Sequence, residues 1–507
     1  MPAAVLRVGV IASTHGPSLL AIIALTSCAP RTQHVVPDRV PDSPSARAIV
    51  DRAVVALGGA ARIASVRTLT VEGSGTTRSF GQSVVPGSDL PIVDVSHRRR
   101  TIDLANGRWR EQLTQARRPP SPNTIPVTYS FGIADAIAYT IDDDGSAALD
   151  PPAVAKERRA ELLHHPLCLL RATLGQSAVL TNARRSHGRD LVDIATADGP
   201  YTLAIDVSTG LVASVASLID DPILGDVEIE TGFGDYQPTG GLMLPTELAE
   251  RRDGTPVASF AVRSQIDSAA DSAAAPEGLP REPPAVPAVT IEPVAEGVWL
   301  LGGSSHHSVL VEVDDRALLI EAPQDEARAL AVIAAASTVL RAKPLTHVIL
   351  SHHHHDHAAG VRTAVAEGLV IVAHIAARPF VEDLVARRHT IAQDELARRP
   401  RPLALETVAD HRTYGASPRS IELYPVSGNA HAATLLMVYV PHAHLLITTD
   451  LFDRSSTGAF PFAANLVDNV DRIGLQVDTL IGLHGRPVPF REVRAAATKA
   501  SATSSFR

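Results

Sequence analysis

The sequence predicts two folded regions of different class: an antiparallel β-rich region over residues 45–266 and an α/β region over residues 291–492. Three observations lead there. Between residues 65 and 265 apolar and polar residues alternate at a period of two, and turn dipeptides break the runs. The stretch "DSAADSAAAPEGLPREPPAVPAV" (267–289) is rich in Ala, Pro and Asp and has no periodicity, so residues 267–290 read as a linker. Beyond it, short β-branched runs alternate with helical ones, the grammar of a sheet covered by helices. A chain of 507 residues also exceeds the usual domain size of about 100–200 residues.

At the amino terminus, Arg7, the apolar run "SLLAIIAL" (18–25) and "LTSC" (25–28) have the order of an export signal over residues 1–27. The tetrapeptide resembles a bacterial lipobox. That resemblance implies cleavage before Cys28, acylation of Cys28, and an extracytoplasmic protein anchored to a lipid membrane. Acyl chains contribute about 0.8 kcal/mol per buried CH₂, so two or three anchor a protein without a spanning helix. Ala29 and Pro30 follow the cysteine in place of the aspartate that marks inner-membrane retention, which favours the periplasmic face of the outer membrane. No later run reaches the roughly 18 apolar residues of a transmembrane helix. Pro-rich residues 28–44 read as a tether. Cys168 is the only other cysteine and is expected to be a small buried residue. A net charge of −9 offers no basic field, so no nucleic-acid partner is expected.

Folding is expected to start at "SPSARAIVDRAVVALGG", with Ser43 as cap, Pro44 at the first helical position, and Ile49, Val50, Ala53, Val54 and Leu57 on one face. Asn106-Gly107, Asp144-Gly145, Asp198-Gly199, Thr209-Gly210 and Asp253-Gly254 then mark hairpins of an antiparallel meander. A helical segment interrupts it around residues 151–175, with His164 and His165 expected on the helix surface. Together with "GFGDYQPTGGLMLPTELAERRDG" (232–254), this arrangement resembles the half-barrel of lipoprotein carriers and related periplasmic lipoproteins. The resemblance implies a concave sheet able to hold an apolar ligand.

In the α/β region, strands are expected at "GVWLLGG", "SVLVEVDD", "ALLIEAP" and "THVILS", with a helix at "DEARALAVIAAAST". Then comes "SHHHHDHAAG" (351–360). The pattern H-x-H-x-D-H fits it in one register, His352, His354, Asp356 and His357. It follows a strand and precedes the helical "AAGVRTAVAEG", so it lies on a strand-to-helix loop. Alternation puts His352 and His354 on one side, leaving Asp356 and His357 to face a second point where the chain turns. Neutral imidazole and carboxylate suit zinc and other borderline divalent ions. Three further candidates stand where apolar runs meet loops: His431 in "SGNAHAAT", Asp450 in "LLITTDLF" and His484 in "TLIGLHGRP".

With these residues the 293–490 region resembles the metallo-β-lactamase superfamily, the αβ/βα sandwich hydrolases. The resemblance implies that His352, His354 and His431 hold one divalent metal ion, that Asp356, His357 and His484 hold a second, and that Asp450 bridges them. Zinc is the expected metal, with iron or manganese as alternatives. Two cations about 3.5–4 Å apart share a water and present hydroxide to a carbonyl or phosphoryl centre. The implied activity is hydrolysis of a small-molecule ester, thioester, lactone or phosphoester, with Asp356 and His355 as candidates for a direct catalytic part. His306 and His307 are candidates for support of the ligands or contact with substrate. His353 is expected to point away from the metals, and His442 and His444 to be hairpin residues. The Arg-rich segment "RPFVEDLVARRHTIAQDELARRPRP" stands where a lid could lie, with Arg387, Arg388, Arg398 and Arg399 as candidates to meet an anion.

Two departures narrow the family reading. Glu321-Ala322-Pro323 stands where many members have Asp-Thr-Gly, and Asp450 stands where the true β-lactamases have Cys or Ser. A β-lactam substrate is therefore an alternative rather than the expectation. A second alternative is a periplasmic carrier lipoprotein with a structural metal domain.

Overall fold

The computed structural model describes residues 45–119, 124–134, 137–267, 273–280, 282, 288–452 and 462–504. The export signal, Cys28, the tether and Ser43-Pro44 lie outside the described residues. Among those described, no helix is long and apolar enough to cross a membrane.

The first helix, Ala46–Leu57, starts two residues later than expected. Ser45 is its cap, its hydroxyl accepting from the Ala48 N–H at 3.2 Å. The predicted face is the buried one: Ile49, Val50, Ala53, Val54 and Leu57 pack on the sheet beneath. Each of the Ile, Val and Leu side chains contributes about 1.5–3 kcal/mol by leaving water.

That sheet has thirteen strands among the described residues. It consists of two meanders joined in the middle, where Thr68–Arg78 pairs antiparallel with Thr255–Ile266. The five predicted turn dipeptides all connect neighbouring strands. At Asp253-Gly254 both residues have positive φ, 44° and 74°, the geometry whose twist suits a tight hairpin. Helices Pro152–Leu162 and Pro166–Thr173 lie on the sheet, where the Trp109 indole donates to the Arg158 carbonyl at 2.9 Å and the Tyr201 hydroxyl to Ala160 at 3.1 Å. His164 and His165 are not surface residues. His164 bonds Thr231 at 3.0 Å and Ser217 at 2.8 Å, and His165, buried, caps the second helix by accepting from the Leu167 N–H. Cys168 is buried, and burial pushes its thiol up to about 12.

The C-terminal region packs two sheets face to face, one of seven strands and one of six. Val309, Leu318 and Ile349 from the first meet Leu423, Val438 and Ile447 from the second. Helices cover both outer faces: Glu326–Val339 and Val361–Ala366 on one side, Ala463–Ile473 and Phe490–Ser504 on the other. Residues 493–507, left by the sequence as a tail beyond the α/β region, continue that last helix through 504. Its Val493 is fully buried, because the apolar side of the helix closes the outer core of the second sheet.

The two regions share a core. Ile219, Leu224, Val227 and Ile229 of the thirteen-stranded sheet join the cluster formed by the helices of the seven-stranded one. The Arg-rich insertion clamps this junction instead of forming a lid. Arg387 donates to the Leu224 and Asp226 carbonyls and to the Asp253 carboxylate, and the Thr390 and Ile391 N–H groups donate to Asp226 Oδ1 at 2.8 and 3.1 Å. Arg398 and Arg399 are occupied by Glu326, Glu367 and Glu395.

Candidate metal centre

The strand Leu345–Ile349 runs parallel to Arg316–Ile320 and Val370–His374. Parallel neighbours end on the same edge, so the residues just past them converge. This places Glu321, which follows Ile320, beside Ser351 and His357. On the facing sheet Leu445–Ile447 and Thr479–Ile481 are also parallel and deliver Asp450 and His484 to the same edge. His431 comes from the turn before Leu436–Val440, held by the Asn429 carboxamide, which accepts from the His431 N–H at 2.7 Å. Glu321, Gln324, Asp450 and Leu483 all have positive φ (63°, 74°, 59° and 54°). Non-glycine residues adopt this only when the surroundings over-determine them, as at binding and catalytic sites.

Two groups of ring nitrogens result. The ligand atoms of His352, His354 and His431 lie within 4.8 Å of one another, and so do those of His306, His357 and His484. Asp450 stands between the groups: Oδ2 is 3.4 Å from His352 Nε2, 3.2 Å from His431 Nε2 and 3.0 Å from His357 Nε2, and Oδ1 is 3.0 Å from His484 Nε2.

A ligating imidazole needs its other nitrogen tied down, which fixes tautomer and ring plane. Five of these rings have such a partner, His306 through Nδ1, 3.0 Å from the Ser305 hydroxyl. His352 Nδ1 is 2.9 Å from the Ser351 hydroxyl, which itself donates to Glu321. His357 Nδ1 donates to Glu321, 2.9 Å from both carboxylate oxygens. His484 Nδ1 donates to the Ser305 carbonyl at 3.1 Å, and His354 Nε2 to the Ser83 carbonyl at 3.0 Å. His354 Nδ1 is consequently the unprotonated nitrogen, and it is buried without a hydrogen-bond partner.

The electrostatics agree with a cation site. Burial holds His352 and His354 well below the usual imidazole range, so both are neutral, as metal ligands must be. Burial opposes charge on His357 and His484 as well. Glu321 and Asp450 outweigh it at His357, and Asp450 at His484, so both are raised and the carboxylates draw positive charge into the site. Burial also opposes the Asp450 charge, but the surrounding histidines, His357 first, hold that carboxyl well below its usual range. The residues present therefore fit two divalent cations: unprotonated nitrogens, a buried carboxylate between them, and a net pull for positive charge.

Asp356 and His306 sit at the rim of the second group. Asp356 Oδ2 is 3.2 Å from His306 Nε2 and 3.7 Å from His357 Nε2. The His306 ring packs edge-on to His484 at 4.3 Å. His306 thus stands among the candidate ligands, whereas His307 does not; its backbone N–H donates to the Leu483 carbonyl at 2.8 Å. His353 turns away from both groups, its Nδ1 2.7 Å from the Thr434 hydroxyl. His355 lies between Phe80 and Phe380, with ring centroids 5.4 and 6.1 Å away. It and Asp356 line a cleft of about 540 Å³ together with Gln324, Phe80, Ile223 and Arg252. His442 donates to the Glu296 carbonyl, and His444 occupies the left-handed turn after Pro441–Ala443.

Several residues here carried no signal of their own in the sequence. Glu321 was legible only as a departure from a family pattern, although a carboxylate ending the apolar run "ALLIE" is itself a sign of a site. Gln82 and Ser83 come from the β-rich region. The Gln82 carboxamide donates to Asp356 Oδ1 at 2.8 Å. On its far side the cleft shares Thr77, Glu250, Arg252 and Val257 with a cavity of about 200 Å³ in the thirteen-stranded sheet, whose wall mixes Leu113 and Phe260 with Arg98 and Arg100.

Known proteins match the C-terminal region. Residues 301–485 match the sequence profile of the metallo-beta-lactamase superfamily. Among solved structures, the chain is similar to the DIM-1 metallo-beta-lactamase at 14% identity, over 43% of this chain and 100% of that one, with a TM-score of 0.35. It is similar to a metallo-beta-lactamase from Pontibacter korlensis at 15% identity (42% and 99% covered, TM-score 0.33). The FIM-1 enzyme from Pseudomonas aeruginosa, in a mono-zinc form, shows 17% identity (43% and 97% covered, TM-score 0.33). No curated protein sequence matches the chain. Ahead of it stands a large antiparallel sheet, and residues 301–485 themselves form a metallo-beta-lactamase superfamily domain.

Proposed function

We propose that the protein is a dinuclear metal hydrolase of small molecules that cleaves an ester, thioester, lactone or phosphoester. One observation carries the reading: the Asp450 carboxylate lies 3.0–3.4 Å from ring nitrogens of four histidines drawn from both groups. His352, His354 and His431 would hold one ion, His357 and His484 with Asp356 or His306 the other, and Asp450 would face both. Bound there, a pair of divalent cations, zinc foremost, makes water nucleophilic at neutral pH and polarises the attacked oxygen.

The chain's own residues do the rest. Glu321, Ser351, Ser305 and the Ser83 carbonyl hold the rings in one tautomer. Phe80 and Ile223 bound the approach with apolar surface, and His355, Asp356 and Gln324 present polar atoms where a leaving group would stand. The full-length protein supplied with zinc should bind two ions per chain and turn over at least one member of an ester, thioester, lactone, phosphodiester and β-lactam panel, with loss on chelation. Binding of fewer than two ions, with no turnover across the panel, overturns the reading.

Acylation of Cys28 and attachment to the periplasmic face of the outer membrane belong to the same proposal. Cys28→Ser should move the protein from the membrane to the soluble fraction, and its persistence in membranes would rule the anchor out. An apolar or amphipathic ligand in the sheet cavity is a companion proposal that rests on that cavity's mixed wall. Lipid extracted from the purified protein, absent from an Arg98→Glu variant, would support it.

A further inference from the structure

The loop between strands Thr68–Arg78 and Ile92–Asp103 belongs to the β-rich region, yet it ends against the histidine motif. Its contacts fall on consecutive residues there. The His353 ring reaches the Ser83 hydroxyl, His354 donates to the Ser83 carbonyl, the His355 N–H donates to Gly81, and Asp356 accepts from Gln82. On the other side, the Ala433 N–H, two residues past His431, donates to the Val84 carbonyl at 2.7 Å.

We propose that this loop is a working part of the metal centre, with Gln82 as the positioning residue that aims Asp356 at the second cation. The inference rests on the dinuclear reading. Asp356 has a side chain 42% exposed on the cleft wall, and a carboxylate so placed turns freely unless it is held. Gln82 holds Oδ1, which leaves Oδ2 directed at His306 and His357, 3.2 and 3.7 Å away. The Ser83 carbonyl acts on the first group in the same sense. A neutral imidazole has one N–H, so donating it from Nε2 commits His354 to offering Nδ1.

The fit leaves no slack at Gly81. Its φ is +76°, and a Cβ there would lie 2.2 Å from the His355 ring. The loop can approach the motif only with glycine at this position. A domain outside the metallo-beta-lactamase region therefore tunes the metal site.

The test uses full-length protein and zinc titrated against a chromophoric chelator. Gln82→Met keeps the shape of the side chain and removes its N–H donors. It should weaken one of the two zinc sites by about 10–100-fold, the usual effect of losing a partner that orients a ligand, and leave the other within about two-fold. Any activity lost should return at saturating zinc. Gly81→Val, which displaces Ser83 as well, should weaken both sites, with near-UV circular dichroism reporting that the fold persists. Superimposable titrations of Gln82→Met and wild type overturn the proposal, as does a wild-type protein that binds fewer than two ions. Two-site binding that depends on Gln82 without turnover of any panel substrate would instead count against hydrolysis alone.

Discussion

Removing the charge of Glu321 should loosen one histidine without unfolding the domain. The side chain is 0% exposed and receives two donors, the His357 Nδ1–H at 2.9 Å and the Ser351 hydroxyl. In Glu321→Gln the shape is kept, but both donors compete for one neutral carbonyl oxygen. Hydrogen bonds to a charged group contribute about 1.5–3 kcal/mol and neutral ones about 0.5–1.5 kcal/mol. About 1–2 kcal/mol of orientation is lost, or roughly 5–30-fold in affinity for the cation that His357 would hold. Glu321→Ala leaves both donors buried and unpaired at about 1–3 kcal/mol each, so it should cost about 2–6 kcal/mol of folding free energy. Chelator competition measures the first effect and denaturant unfolding the second. Wild-type zinc affinity in Glu321→Gln together with wild-type stability in Glu321→Ala would refute the assigned role.

Other expectations follow from the same structure. His165 is buried and neutral, with burial holding it at about 3 against an ordinary 6.5. As pH falls below 6.5 the unfolded chain takes up the proton and the folded one does not, so stability present above 6.5 is lost toward pH 3 at about 1.4 kcal/mol per unit; His165→Asn, which keeps a cap acceptor, should shift acid unfolding to lower pH, and an unmoved midpoint would refute this. His354→Ala should abolish binding at one of the two zinc sites while His442→Ala leaves both intact, and equal losses would break the division of histidines made above. Val493→Asp places an unpaired charge at a fully buried position and should destabilise the protein by several kcal/mol; a wild-type unfolding curve would return this helix to the status of a tail.

Much of the site could be read from local spacing. One register of "HHHHDH" separates His352, His354, Asp356 and His357 from His353 and His355, and the structure turns His353 toward Thr434 and His355 toward Phe80. His431, Asp450 and His484 stood out because apolar runs end beside them. Helix boundaries were less legible: Ser43 was read as the cap, and the helix is capped by Ser45. His164 and His165 looked exposed because polarity in a helix usually faces water, but here a sheet lies opposite and His164 bonds to it. Arg387 reaches the same sheet, whereas Arg398 and Arg399 stay at the surface beside Glu326, Glu367 and Glu395.

By itself, then, the sequence determined which residue types are available to a cation and the order in which strands and helices present them, because strand period, turn chemistry and ligand spacing are properties of neighbours along the chain. Only the tertiary structure decided that Glu321 orients His357, that Asp450 stands between the two histidine groups, and that Gln82 and Ser83 reach the motif from a different region. Gln82 and Asp356 are 274 residues apart. Contacts across such a separation leave no periodicity to read, and they exist only because a buried core shared by the two regions brings their loops together.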